Sequence, residues 1–202
     1  MLASTTSPIP FAVVDIETTG LRSDRDEILQ IGVVLLDWPV EPGVDISLSS
    51  SGSSDWSSYV RPRQWLTRDL GPFDVHGINR RKLIRGRSAA RALKIFAQIT
   101  AGRIVVAHNA DFDTTFLRAA AARHHVDLEW DGVLCTLKMS RKLDPERQLT
   151  HKLSTLCEKY GVTLEQAHDA LHDARATAEI LPHLITAHGV RDAAALQPFV
   201  RR

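Results

Sequence analysis

Residues 11 to 21, Phe-Ala-Val-Val-Asp-Ile-Glu-Thr-Thr-Gly-Leu, set two carboxylates one residue apart at the end of a short apolar run. Side chains alternate faces along a strand, so a strand here puts Asp15 and Glu17 on one face and Ile16 in the apolar layer behind. Like charges held this close repel each other unless a cation offsets them, and hard carboxylate oxygens suit Mg²⁺ or Mn²⁺. Thr18, Thr19 and Gly20 then turn out of the strand, where loops from neighbouring elements can add ligands. Two surface acids beside a turn would give the same short pattern, so the reading needs partners from elsewhere in the chain.

Two later segments offer them. The apolar run Ile104 to Ala107 reads as a buried strand, and Asp113 follows one helical turn into the next helix. If that strand lies beside the first, Asp113 is delivered to Asp15 and Glu17. Asp111 competes, but it sits at the loop-to-helix junction, where an N-cap or first-turn role explains it. The last cluster holds His168, Asp169, His172 and Asp173. On one continuous helix His168 and Asp173 would diverge by about 140°. With His168 in the loop before the helix and Asp173 in its first turns, both can face the sheet, with Asp169 as N-cap. Either histidine taken alone is more simply explained as an ordinary surface residue.

The strands and helices around these groups are legible in part. A strand over about 11 to 16 leads through a charged turn into Ile28 to Leu36, a second strand read as antiparallel because the connection is too short for a crossover. Pro39, Pro42 and Gly43 end it. The Ser/Gly-rich stretch 47 to 58 reads as a hairpin insertion without catalytic duty, returning into a third, edge strand near 56 to 60. Residues 61 to 77 carry too many prolines and glycines for a regular element. Helices are expected from Ser88 to about Ile99, Asp111 to Arg123, Lys152 to Tyr160 and Leu171 to about His188, with a further strand near Val133 to Leu137. Pro182 predicts a kink or break in the last helix. The fold class is therefore α/β, a mixed five-stranded sheet with helices on its faces. Residues 1 to 9 are read as a leader, 10 to 188 as one domain and 189 to 202 as a short tail.

Composition sets the outer bounds. The 202 residues, 44% apolar and 24% charged, hold one sizeable globular domain. A formal net charge of +1 argues against a strongly cationic protein that coats nucleic acid indiscriminately, although arginine supplies most of the positive charge and suits phosphate. Cys135 and Cys157 stand far apart and make neither a disulfide framework nor a CxxC zinc site. No segment has the length of a membrane span or the order of a secretory signal, so a reducing, cytoplasmic location is expected.

Taken together these residues resemble the DnaQ-like DEDD 3′-to-5′ exonucleases of the proofreading-subunit kind, in the histidine-containing DEDDh branch. The motif D-x-E-T-T-G-L stands as Asp15 to Leu21, H-N-A-x-F-D as His108 to Asp113, and H-x-A-x-x-D-A as His168 to Ala174. Val75 to Ile78 and the His151-Lys152-Leu153 helix start also look like the family, and the resemblance covers roughly residues 10 to 187. It departs from the pattern in the length of 47 to 58 and in Cys135, where an acid is common.

The resemblance selects Asp113 over Asp111, and His168 and Asp173 over their neighbours. It implies a ribonuclease-H-like sheet with the second strand antiparallel, and two Mg²⁺ or Mn²⁺ ions held by Asp15, Glu17, Asp113 and Asp173. His168 is then the general base, and two metals about 4 Å apart compensate charge on the attacking and leaving oxygens. Thr18, Leu21, His76 and Phe112 are expected around the terminal nucleotide, with His108 and Asn109 ordering the turn or touching substrate. Phe112 as core packing is the competing explanation. The expected substrate is a single-stranded or frayed 3′ end, DNA preferred, with nucleoside 5′-monophosphate as product. An RNA-trimming enzyme and a non-catalytic binding domain are the alternatives. The chain is expected to be a monomer. The short 189 to 202 stretch makes a polymerase or repair partner the weaker expectation.

Overall fold

The computed structural model describes residues 8–38, 54–165 and 168–202. In chain order the elements are β1 (Ile9–Thr18), β2 (Ile28–Trp38), β3 (Asp55–Arg61), α1 (Phe73–His76), α2 (Arg80–Ile84), β4 (Arg87–Ser88), α3 (Ala89–Thr100), β5 (Ile104–Ala107) and α4 (Ala110–Arg123). There follow β6 (Gly132–Cys135), α5 (Thr136–Leu143), α6 (Leu153–Tyr160), α7 (Ala170–Ala187), α8 (Ala193–Leu196) and β7 (Val200–Arg201). The strands form one sheet in the order β4-β3-β2-β1-β5-β6-β7. β2 runs antiparallel to both β1 and β3, whereas β1, β5 and β6 run parallel.

β1 is central and buried on both faces, and its alternation separates two cores. Phe11 and Val13 pack on one side with Leu156 of α6 and Ala174, Ala178 and Leu181 of α7. Ala12, Val14 and Ile16 pack on the other with Leu93 and Phe96 of α3 and Phe116 and Leu117 of α4. Each such fully buried Phe or Leu contributes roughly 1.5–3 kcal/mol. Asp15 and Glu17 continue the odd-numbered row, so they emerge on the face covered by α7. The parallel pairing of β1 with β5 makes those strands neighbours, and α4 then starts beside the end of β1.

Several expectations need correction. The sheet has seven strands where five were expected, because two-residue strands extend it at each edge, β4 beside β3 and β7 beside β6. Residues 189–202 are accordingly no simple tail: Leu196 is buried in the core and Arg201 pairs with Asp111 of α4. Pro182 does not divide the last helix, since α7 is continuous from Ala170 to Ala187. Ala178, Leu181, Leu184 and Ile185 are buried on both sides of the proline and hold the helix against the sheet. Residues 61–77 contain the short helix α1, and the strand expected to reach Leu137 stops at Cys135, where α5 begins. Of the leader, 1–7 lie outside the described residues and Ile9 already belongs to β1. Of the 47–58 insertion, 47–53 also lie outside them, while Asp55 to Ser58 are strand. Among the described residues no helix is long and apolar enough to cross a membrane.

Candidate active site

Three elements converge at the end of β1. The ladder with β2 pairs Asp15 with Gly32 and Glu17 with Gln30, and its register shifts between Glu17 and Thr18. A bulge at this point ends the regular pairing and lets the following turn leave the sheet. From the other side, Asn109 adopts the left-handed conformation (φ 69°) between β5 and α4. This tight turn places Asp113 in the first turn of α4, where it is only 3% exposed.

α7 supplies the third contribution. Asp169 caps it, accepting from the Leu171 amide at 3.1 Å and from Gln30 Nε2 at 3.0 Å, which ties the helix start to β2. Asp173 lies in the first turn, and its Oδ2 accepts from the His168 backbone amide at 3.1 Å. His168 itself stands outside the helix, exposed, at φ 67°. Donor atoms of Glu17, His168 and Asp173 all lie within 4.8 Å of one another. His172, half-buried on α7, instead has Glu165 at 3.6 Å.

The electrostatics follow from this crowding. Burial pushes Asp15 well above the usual carboxylate range, and the charges of Asp113, Asp173 and Glu17 push it further. Glu17 is raised to about 8 by burial and then by Asp173, Asp169 and Asp113. Asp113 is raised to about 7 by burial, against which backbone hydrogen bonds act, and burial also raises Asp173. Asp173 Oδ1 is moreover buried without a hydrogen-bond partner. An acceptor stranded among other carboxylates fits a divalent cation, which would satisfy the oxygen and offset the repulsion. Asp111 belongs to a different setting, exposed and paired with Lys138 and Arg201.

The residues expected around substrate divide into two groups. Leu21 projects into solvent at 83% exposure beside the acids, and Asn109 is exposed. Phe112 is half-buried, its ring centroid 4.9 Å from that of Phe116. Thr18 is buried, with its hydroxyl donating to the Gly20 carbonyl at 2.6 Å. His76 is buried, and His108 is half-buried at the edge of the site; backbone carbonyls hold both. His76 Nδ1 accepts from the Ile78 amide and Nε2 donates to the Leu70 carbonyl, each at 3.0 Å, and burial holds its pKa below the usual histidine value. His108 Nε2 donates to the His151 carbonyl while Nδ1 accepts from Thr136 Oγ1, both at 3.0 Å, and burial pushes its pKa down to about 4. Both imidazoles therefore order loops. A cleft of about 670 Å³ opens beside the acids, lined among others by His108, Asn109, Arg141, Lys152, His168 and Asp173.

Two residues of the site have signals in the sequence that the motifs do not contain. Gly32 interrupts the β-branched run of β2, the mark of a close backbone approach. Gln30 is a polar residue between the apolar Leu29 and Ile31, 3% exposed and bonded to Asp169.

Comparison with known proteins agrees with this geometry. A family model described as exonuclease, of the RNase T type, matches residues 12–181. The DNA polymerase III PolC-type of Lacticaseibacillus paracasei is 32% identical over 180 residues, covering 85% of this chain and 11% of that protein. The PolC-type polymerase of Bacillus subtilis is 31% identical over 172 residues, again 85% of this chain and 11% of that protein. The chain thus spans about a tenth of these relatives. Among solved structures, E. coli exonuclease I in complex with a dT13 oligonucleotide superposes with a TM-score of 0.70 at 18% identity, over 94% of this chain and 46% of that one. Exonuclease X in complex with 5′ overhanging duplex DNA gives 0.61 at 21% identity, over 89% and 93% respectively. The fold is ribonuclease-H-like, and the chain belongs to the exonuclease family whose model spans residues 12–181.

Proposed function

We propose that the chain is a metal-dependent 3′-to-5′ exonuclease that hydrolyses phosphodiester bonds at DNA 3′ ends and releases nucleoside 5′-monophosphates. The observation that carries this reading is the convergence of Asp15, Glu17, Asp113 and Asp173 from three separate segments, with Asp173 Oδ1 buried and unpaired. The four acids are the groups that would hold two Mg²⁺ or Mn²⁺ ions. When bound, these supply charge neutralisation and Lewis acidity to an in-line displacement.

The protein's own groups do the rest. His168, exposed and within reach of Glu17 and Asp173, takes the proton of the attacking water. The Asp173 carboxylate accepts the His168 amide and so fixes where the imidazole is carried. Leu21 inserts an apolar surface between the last bases, and Phe112 offers a ring edge to the terminal one. Such contacts are tolerant of sequence, which suits removal of any nucleotide. The Thr18 region meets the terminal 3′-hydroxyl, and the exposed Asn109 orders the turn or touches the strand. The PolC-type relatives make a polymerase or other replication or repair factor the natural partner.

Purified protein with Mn²⁺ and matched DNA and RNA strands of one sequence tests the substrate class. Nucleoside 5′-monophosphates should leave the DNA strand at the higher kcat/KM. A preference for RNA would reassign the substrate, and release from neither strand would overturn the proposal.

A further inference from the structure

Charge is distributed very unevenly along this chain. Residues 75–110 contain eight lysines and arginines and no acid, although the formal net charge of the whole chain is only +1. Several of these cations have structural duties. Arg80 donates to the Leu66 and Arg68 carbonyls, Arg87 to Ser58 Oγ, and Arg103 to Asp37 and the Phe11 carbonyl.

Arg81, Lys82 and Arg85 do not. They lie on α2 and its C-terminal cap with exposed side chains, while Leu83 between them is buried against Leu29, Leu70 and Ile78. Among the described residues none of the three side chains has an acid within ion-pair distance, and Lys82 Nζ lies 5.8 Å from the Tyr59 ring centroid. Arg85 stands three and four residues from Lys82 and Arg81, the spacings at which like charges at a helix repel each other. The three cations line, with Tyr59 and Ile84, a groove of about 610 Å³, in which Ile84 is 63% exposed.

The groove is close to the acids. β2 joins Glu17 to Gln30 and Gln30 to Tyr59 in one row of the sheet, so Tyr59 stands two strands from Glu17, roughly 10 Å at ordinary strand spacing. The intervening loop is seated against the same turn. Gly71, at φ 83°, lies so near Thr19 that an added Cβ would be 2.4 Å from the Thr19 carbonyl oxygen. Its Leu70 carbonyl is held by His76. Such a distance corresponds to about three phosphate repeats of a strand at B-form rise.

We propose that Arg81, Lys82 and Arg85, together with Tyr59 and Ile84, form a second nucleic-acid contact that binds the phosphate backbone of the substrate strand beyond the nucleotides held at the acids. The inference rests on the exonuclease reading and extends it. A polyanion relieves the repulsion among the three cations, and Tyr59 and Ile84 give a base or sugar an apolar surface. Strand length, through this groove, then governs KM.

The test compares wild type with the Arg81→Ala/Lys82→Ala/Arg85→Ala variant on a 15-nucleotide DNA strand and on the p-nitrophenyl ester of thymidine 5′-monophosphate, which cannot reach the groove. Expected are a KM for the strand raised about ten- to a hundredfold, and a plot of log KM against log salt shallower by about 2, at roughly 0.7 for each lost single-strand contact. Hydrolysis of the ester should be unchanged. An unchanged strand KM and salt slope would overturn the inference, as would an equal loss on both substrates, which marks a structural role. If wild type hydrolyses neither substrate, the exonuclease reading fails separately. Fluorescence anisotropy with the labelled strand then decides the groove alone: weaker binding by the variant supports it and equal binding overturns it.

Discussion

Gly32 of β2 and the carbonyl of Ala170 at the start of α7 are in such close approach that a Cβ on Gly32 would sit 2.3 Å from the Ala170 oxygen. Gly32 is also the ladder partner of Asp15. The missing side chain therefore lets the first turn of α7 settle on the sheet beside the acids, and that turn carries Asp173.

Gly32→Ala should push α7 away from β2. Overpacking of this kind costs about 1–3 kcal/mol, or roughly 2–12 °C in Tm for a chain of this size. Mn²⁺ affinity, read by calorimetric titration, should fall at least tenfold because Asp173 is displaced from Asp15 and Glu17. Wild-type affinity in a folded Gly32→Ala protein would contradict the positioning argument.

The raised carboxyls give stability a definite pH dependence in the absence of metal. A carboxyl whose folded pKa lies above its unfolded value binds its proton more tightly in the folded state. Its contribution favours the fold at low pH and is lost as pH rises through that window, from 4.5 to about 8 for Glu17 and from 3.8 to about 7 for Asp113. In EDTA, Tm should thus decline between pH 5 and pH 8 by more in wild type than in Asp15→Asn, which removes one of the repelling charges. Added Mn²⁺ should raise Tm more at pH 8 than at pH 5. A thermal melt showing equal Mn²⁺ effects at both pH values would argue against a cation at these acids.

His168 and His172 separate by function. Single-turnover cleavage of a short DNA strand should fall by roughly 10² to 10⁴ in His168→Ala, the usual contribution of a positioned proton acceptor. His168→Gln should be nearly as slow, since an amide does not accept the proton. His172→Ala should stay within a few-fold of wild type, because His172 faces Glu165 and not the acid cluster. The reverse ranking would reassign the base.

How much of this was legible in the sequence differs from residue to residue. The odd-numbered row of β1 declares itself through alternation, with Phe11 and Val13 apolar and Asp15 and Glu17 acidic, and Asp113 and Asp173 stand at recognisable helix starts. Local pattern ends where pairing is set by the far side of the chain. Two-residue strands such as β4 and β7 have no periodicity of their own and exist because β3 and β6 present free edges. Pro182 looks like a helix breaker until burial of α7 against β1 and β2 outweighs its missing donor. That the Leu70 and His151 carbonyls hold His76 and His108 is set by tertiary structure and has no signal in their local sequence.

The most direct test uses one single-stranded DNA labelled at its 5′ end, incubated with Mn²⁺ and either wild type or Asp15→Asn. Wild type should generate a ladder of labelled strands shortened one nucleotide at a time, with unlabelled nucleoside 5′-monophosphates as the released product, and Asp15→Asn should leave the strand intact. Labelled mononucleotide appearing at the outset, or an undiminished ladder with Asp15→Asn, would contradict the account.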